Sequence, residues 1–184
     1  MELDADLGQR GRAAGFAVDD AQRVLDDLAA DEFSALPFDQ EWLYATSALA
    51  ETSALLADES AAEVLYGLLV PWADLTATDH PEGMRGSVAR YLGLLGATLR
   101  RWEAAEAHFE VAWGMNERIG ARPWLAHSLS DHARMLVARD SPDDRERAGE
   151  LFAAALAIYR ELGMESYARE AETQEAHSRG YHGR

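Results

Sequence analysis

Cysteine and lysine are both absent from the 184-residue sequence, and each absence narrows what the chain can do. Without cysteine there is no disulfide framework and no thiol nucleophile, and a structural zinc site is disfavoured. Because lysine is missing, all 17 basic residues are arginines, and the 33 acidic residues leave a net charge of −16. Such a charge argues against direct nucleic-acid binding and against attachment to an anionic membrane surface.

Several functional motifs are missing as well. No apolar run approaches the roughly 18 residues that a membrane-spanning helix needs. The acidic start, Met1-Glu2-Leu3-Asp4, does not resemble a secretory signal, so we expect a cytoplasmic protein. The sequence contains no GxxxxGK(S/T) phosphate loop, no HExxH motif and no basic recognition helix. We therefore expect no cofactor, no metal and no enzymatic activity.

The sequence does contain a repeated pattern of small and aromatic residues. An alanine precedes an aromatic residue by four positions in three places, 43 residues apart: Ala62 with Tyr66, Ala105 with Phe109, and Ala148 with Phe152. Residues four apart share a helix face. A small residue, Gly93, lies in the preceding helix of the central copy and should let two backbones approach closely. This pattern predicts helical hairpins that stack on one another.

The repeats resemble a tetratricopeptide (TPR) array of the long-repeat type. More narrowly, they are similar to the C-terminal superhelical region of large ATP-binding LuxR-type transcriptional regulators and their cyclase-linked relatives. The segments that carry the resemblance are WLYATSALAE from residue 42, GSVARYLGLL from 86, WEAAEAHFEVA from 102, GARPWLAHSLSDHARMLVAR from 120 and DRERAGELFAAALAIYRELGM from 144. The resemblance implies an all-α array of antiparallel hairpins in a right-handed superhelix, with a role in regulating transcription. It does not imply ATP or DNA binding.

We expect one domain over residues 18–178. It should hold about three repeats, near 40–70, 86–119 and 124–162, with a helix before them at 18–33 and a capping helix at 164–178. Residues 1–17 are interpreted as a loose leader and 179–184 as a frayed tail. Residues 71–85 are the longest non-helical stretch, and they contain two prolines.

The resemblance also implies where a ligand would bind, because the first helices of a TPR array line its concave surface. The residues expected there to contact a ligand or partner are Tyr44, Glu51, Arg90, Leu94, His127, Ser130 and Arg134. Arginines on such a wall could fork onto a carboxylate or phosphate, which favours an anionic peptide end or an acidic small molecule. The alternative is that Arg90 and Arg134 pair internally with residues such as Glu51 or Asp131.

Two further groups have open interpretations. Trp72, beside Pro71, is either an exposed aromatic residue in a binding loop or a lid that closes the first repeat. A metal site could be formed by His127, Asp131 and His132, since His127 and Asp131 share a helix face. The sequence does not show which residue would complete the set of ligands, so a structural role is favoured.

Three functions remain as hypotheses. The first is a non-catalytic interaction or ligand-sensing module that binds a peptide, a partner helix or an anionic effector. The second is a homodimerisation element that uses the apolar face of helix 18–33, left exposed by an incomplete first repeat. The third, disfavoured, is a small enzyme that uses Arg90, His127 and Arg134.

Overall fold

The chain folds into a succession of helices, most of them joined by short turns. A computed structural model describes residues 18–79 and 83–180. In that part of the chain the helices are α1 (Val18–Ala29), α2 (Trp42–Leu56), α3 (Glu59–Leu69), α4 (Val88–Thr98), α5 (Trp102–Arg118), α6 (Arg122–Arg139), α7 (Asp144–Glu161) and α8 (Glu165–Gly180). The expectation of a mostly helical protein is confirmed. The leader at 1–17, His80 and residues 181–184 of the expected tail lie outside the described residues.

Neighbouring helices in the sequence are also neighbours in space. From α4 to α8, each helix packs against the next, and α2 packs against both α3 and α4. Because the connecting turns are short, each helix must fold back along the one before it. The helices therefore form a series of hairpins, as the repeated pattern predicted.

Between α3 and α4 the structure adds a two-stranded sheet that the all-α interpretation omits. A short 3-10 turn, Val70–Trp72, leads to strands β1 (Thr76–Asp79) and β2 (Gly83–Ser87). The strands are antiparallel, with Thr76 opposite Ser87 and Thr78 opposite Met84. Strands of four and five residues are too short to give a clear periodic pattern. The hairpin contacts α2, α4, α5 and α6, so it covers one side of the helices.

The close approach predicted at Gly93 is present in the structure. A Cβ atom on Gly93 would lie 2.8 Å from the ring of Phe109, so only glycine leaves room for that ring. Phe109 and Ala105 are both fully buried, as are Ala148 and Phe152 in the next copy. The small and aromatic positions of the repeat therefore form the packing between consecutive helices.

Several helix boundaries differ from the prediction. The capping helix expected over 164–178 runs over Glu165–Gly180, so it includes the first two residues of the expected tail. The helix expected over 18–33 ends at Ala29, and the chain then turns with positive φ at Glu32 and Phe33. Phe33 is still buried in the core, because this turn directs its side chain back onto the helices. The helix expected from 124 begins at Arg122, since Pro123 is well suited to a first helical turn.

The hydrophobic core consists of three adjoining clusters. The first is centred on α2, α3 and α4, the second on Phe109 and Phe152, and the third on Tyr159 with the start of α8. Leu25 and Phe33 of the N-terminal segment belong to the first cluster, whereas Val18 and Val24 of α1 are exposed, so the apolar face of α1 is covered only in part. Within the described residues, no helix has the length and apolar character required to cross a membrane.

Candidate functional site

Alternating positive and negative side chains form a line across alternate helices. We call these six residues the charged row: Arg85, Glu51, Arg90, Asp131, Arg134 and Glu170, each paired with the next. They come from β2, α2, α4, α6 and α8. The row therefore links elements that are far apart in the sequence.

Arg90 is the centre of the charged row. Its Nε donates to Asp131 at 2.7 Å and its Nη2 donates to Glu51 at 2.8 Å. Only 4% of Arg90 is exposed. Burial opposes its charge, but Asp131 and Glu51 hold the pKa of Arg90 well above the ordinary value. Arg90 therefore stays charged, and its two ion pairs join α4 to α2 and to α6.

The two central carboxylates depend on this arginine. Burial by itself would raise the pKa of Asp131, but Arg90 and Arg134 lower it overall. The pKa of Glu51 is likewise lowered, because Arg90 and Arg85 outweigh the effect of burial. Both carboxylates are therefore ionised at neutral pH. The internal pairing that the sequence left open for Arg90 and Arg134 is thus present.

The charged row is nevertheless not fully hydrogen-bonded. Five buried polar atoms on or beside it find no hydrogen-bond partner among the described residues: Nη1 of Arg90, Nε of Arg85, Nε of Arg134 and the Oγ atoms of Ser47 and Ser130. Ser47 and Ser130 lie on the helices that carry Glu51 and Arg134, one turn before each. Most buried polar groups in proteins are paired. All five of these atoms carry a hydrogen that can be donated, so together they call for an oxygen acceptor.

Aromatic rings lie beside two of the row's three guanidinium groups, those of Arg85 and Arg90. The Arg85 guanidinium lies 5.3 Å from the ring centre of Tyr44 and 5.8 Å from that of Trp124. The Arg90 guanidinium lies 5.2 Å from the ring centre of Tyr91 and 5.8 Å from that of Trp124. At these distances a ring face attracts a cation. Trp124 is therefore shared by the two arginines and borders the row.

A second aromatic group continues from Trp124 toward α8. The His127 ring lies 5.3 Å from Trp124 and 4.7 Å from Tyr167, and its Nδ1 is 2.8 Å from the hydroxyl of Tyr159. Burial, with the nearby charge of Arg90, lowers the pKa of His127 to about 4. His127 is therefore neutral at physiological pH, and it behaves as one more aromatic ring beside the row.

A buried asparagine, Asn116, connects the β-hairpin to helices α5 and α6. Asn116 is fully buried. Its Oδ1 accepts the Ser87 backbone N–H at 3.0 Å, and its Nδ2 donates to Ser128 Oγ at 3.1 Å. A Cβ atom on Gly86 would lie 2.6 Å from Trp124, so the chain passes close to that ring. These contacts hold the end of β2, and with it the backbone of Arg85, in a fixed position.

The structure brings together most of the predicted ligand-contacting residues and separates two of them. Tyr44, Glu51, Arg90, His127, Ser130 and Arg134 all lie in or beside the charged row. Leu94 instead packs between the first two hydrophobic clusters. Trp72 lies in another aromatic group, with ring centres 5.9 Å from Phe38 and 6.2 Å from Trp42. This half-buried position agrees with the lid interpretation of Trp72.

The histidines considered as metal ligands have other surroundings. The His132 ring stacks on Phe109, with ring centres 5.6 Å apart, while His127 contacts Tyr159. Across residues 18–79 and 83–180, no three His, Cys, Asp or Glu side chains are grouped so that they could hold a metal ion.

Sequence reasoning missed four members of the site. Arg85, Glu170, Tyr159 and Tyr167 come from the strand, from α7 and from the helix treated as a cap, not from the first helices of the repeats. The spacing of Tyr167 and Glu170, three residues apart on one helix face, was the available signal.

An open cleft lies elsewhere, between α5 and the segment that holds Asp74. It has a volume of about 430 Å³ and is lined by Asp74, Glu110, Val111, Gly114, Met115 and Arg118. Its lining mixes both charges, and none of the five unpaired donors belongs to it.

Comparison with protein-family models, with curated proteins and with solved structures gave no match. The function of the chain must therefore be inferred from the geometry of the charged row.

Proposed function

We propose that the helices form a TPR-like array with a right-handed superhelix, and that the charged row lies on its concave face. The support is the 43-residue repeat of alanine and aromatic positions together with the series of hairpins. The row draws its helical residues from α2, α4, α6 and α8, which are alternate helices, as residues on one face of such an array would be.

We further propose that the charged row and the aromatic rings beside it, together called the wall, form the binding surface of a non-catalytic interaction or ligand-sensing module. The ligand would be a peptide, a partner helix or a small anionic effector, as in the sensor region of a cytoplasmic transcriptional regulator. The observation that carries the proposal is the set of five buried donors without partners. Leaving a buried donor unpaired costs about 1–3 kcal/mol. A ligand whose oxygen atoms accept these hydrogen bonds would recover that free energy when it binds.

A catalytic role for Arg90, His127 and Arg134 is the weaker alternative. Arg90 is enclosed and bound to two carboxylates, so it has little freedom to act on a substrate. His127 titrates near pH 4 and would be a poor base at neutral pH. Both features favour binding over proton transfer.

The test is a thermal-shift and calorimetric screen of carboxylates and acidic peptides against the whole chain. Arg134→Gln is the test variant, and Arg160→Gln is its control, since Arg160 pairs with Glu172 on the surface. A ligand that binds the wild type and Arg160→Gln, but not Arg134→Gln, supports the proposal. If every ligand that binds has the same affinity for both variants as for the wild type, or if no ligand binds, the wall is not the binding surface.

A second candidate function is self-association through the end of the array nearest α2. Phe38 is 72% exposed and forms an aromatic group with Trp42 and Trp72, and Leu75, three residues after Trp72, is also exposed. An apolar group of this kind is where a neighbouring hairpin of a second copy would stack. Light scattering over a tenfold or larger range of concentration tests this, and Phe38→Ser should convert a dimer into a monomer. A wild type that is monomeric throughout would exclude it.

A further inference from the structure

We infer that the ligand of the charged row is a planar aromatic monocarboxylate. Its carboxylate would compete with Glu170 for Arg134, and its ring would lie against Trp124 and Tyr167. This inference rests on the proposed binding function and names the chemical class that the wall would select.

The unpaired atoms define the polar end of the ligand. Nη1 of Arg90, Nε of Arg134 and Oγ of Ser130 are all donors, so they require oxygen atoms that accept hydrogen bonds. A carboxylate offers two such oxygens, and guanidinium groups bind it in a forked geometry. Ser130 and Arg134 lie four residues apart on α6, so they share a helix face with His127 three residues before Ser130.

The charge of the row limits how much negative charge the ligand can carry. Its three arginines are matched by three carboxylates, and the whole chain has a net charge of −16. At about 0.1 M salt the screening length is about 10 Å, so the acidic surface still repels a polyanion near the row. Displacing one carboxylate, that of Glu170, frees one positive charge, which suits a ligand with a single negative charge.

The surroundings of Arg134 show how such a ligand could enter. The donors are enclosed, but 34% of the Arg134 side chain and 24% of the Glu170 side chain are exposed. The Arg85–Glu51 pair at the other end of the row is also partly exposed, at 20% and 30%, but Arg134 is the most exposed of the row's three arginines. A carboxylate that replaces Glu170 would reach Arg134 first and then Ser130 and Arg90.

The aromatic side of the wall defines the rest of the ligand. Tyr167 is 46% exposed, and it lies three residues before Glu170 on α8. The neutral His127 ring stands between Tyr167 and Trp124. A flat ring attached to the carboxylate would meet these rings, and stacked aromatic pairs add to the binding that buried area provides. An aliphatic acid would gain less from the same surface.

The experiment is isothermal titration calorimetry of the whole chain with three probes. 2-Naphthoate has both the ring and the charge, 2-naphthalenemethanol has the ring alone, and octanoate has the charge alone. We expect 2-naphthoate to bind about tenfold or more tightly than either of the others.

Four variants locate the site. Glu170→Gln removes the competing carboxylate and should tighten 2-naphthoate binding, whereas its control Glu172→Gln should leave it unchanged. Tyr167→Leu should weaken 2-naphthoate but not octanoate, and Arg134→Gln should weaken both. Circular dichroism and the thermal midpoint identify any variant that has lost its fold.

The outcomes separate the inference from the proposed function. If octanoate or an acidic peptide binds in an Arg134-dependent way as tightly as 2-naphthoate, the aromatic specificity is wrong and the binding function stands. If Glu170→Gln weakens 2-naphthoate binding, the competition with Glu170 is wrong. If neither carboxylates nor acidic peptides bind, both the inference and the proposed function fail.

Discussion

Two ion-pair groups of this protein use the same residue types but differ in how completely they are hydrogen-bonded. The first is the charged row. The second, here called the loop cluster, consists of Glu106, Arg139, Asp144 and Arg147 at the turn between α6 and α7. Arg139 donates from Nε and Nη2 to Asp144 at 2.8 and 2.6 Å, and from Nη1 to Glu106 at 2.6 Å. Asp144 also accepts the Ser141 backbone N–H at 2.9 Å.

Under the proposed function, this difference separates a structural group of ion pairs from a binding surface. All three nitrogens of Arg139 have partners, and the cluster fixes a turn in which Asp140 and Asp143 have positive φ. Arg90, by contrast, leaves Nη1 unpaired although it is more deeply buried than Arg139. A turn is complete once its groups are satisfied, whereas a binding wall keeps donors for its ligand.

The greatest loss of stability should come from a change at the centre of the charged row. Arg90→Leu would leave Glu51 and Asp131 buried near each other without their shared partner, which typically costs about 3–5 kcal/mol. Urea unfolding measures this loss. The control is Arg101→Gln, because Arg101 pairs with Glu63 on the surface, and a much smaller loss than that of Arg90→Leu is expected there. Equal losses in the two variants would contradict a central role for Arg90.

The next prediction concerns how the stability of the fold depends on pH. It compares one histidine beside each of the two regions. The pKa of His127, beside the row, and that of His132, near the loop cluster, are both lowered by burial to about 4. An unfolded histidine titrates near 6.5, so the unfolded chain binds more protons between about pH 6.5 and 4. Stability should therefore fall as pH drops through this window, by about 1–2 kcal/mol for each histidine at pH 5.

Substituting each histidine separates the two regions. Neither ring nitrogen of His132 has a partner among the described residues, so His132→Phe should remove its share of the pH dependence without loss of stability at pH 7. His127→Phe should also flatten the profile, but it loses the contact with Tyr159 and should be less stable at pH 7. The free energy of unfolding in urea is measured at pH 5 and pH 7 for each variant. If its change with pH is the same in both variants as in the wild type, neither histidine is held neutral by burial.

A change in the loop cluster should cost less stability than the change at Arg90. Asp144→Asn removes the charge that accepts two hydrogen bonds from Arg139, which should cost about 1.5–3 kcal/mol. Because this cluster is structural, the variant should still bind any ligand of the charged row with wild-type affinity. Chemical unfolding and calorimetry measure the two quantities. A loss of binding in a folded Asp144→Asn would show that the two regions are not independent.

The weakest effects come from two serines on α6 that differ only in their partners. Ser128 accepts from Asn116 and donates to the Trp124 carbonyl, so Ser128→Ala should cost about 1–2 kcal/mol. Ser130 has an unpaired hydroxyl, and Ser130→Ala should be neutral or slightly stabilising without a ligand. Thermal midpoints compare the two. A Ser130→Ala loss as large as that of Ser128→Ala would mean that Ser130 already has a structural partner.

Much of the helical framework could be predicted from the sequence, because the spacing of small and aromatic residues controls packing directly. Gly93 and Phe109 illustrate this, since one residue leaves the space that the other fills. The β-hairpin could not be predicted in this way, since its strands are too short for a periodic signal. The end of α1 also depended on a tertiary contact, the burial of Phe33.

The candidate site was predicted in part. Arg90 and Arg134 were identified from their places in the first helices of the repeats. Arg85 and Glu170 were not, because they join the row from a strand and from the last described helix. Which arginine nitrogens remain unpaired depends on the full set of neighbours, and no local pattern in the sequence encodes that set.

An NMR titration that follows the arginine Nε–H signals of the whole chain would decide whether the charged row binds a ligand. 2-Naphthoate and an acidic peptide would be added separately, and Arg90, Arg134 and Arg139 would be assigned by substitution. We predict that at least one of these ligands shifts the Arg134 and Arg90 signals in a saturable way, while the signal of Arg139 in the loop cluster stays in place. Shifts that are equal at Arg139 and Arg134, or no saturable shift with either ligand, would contradict a binding role for the row.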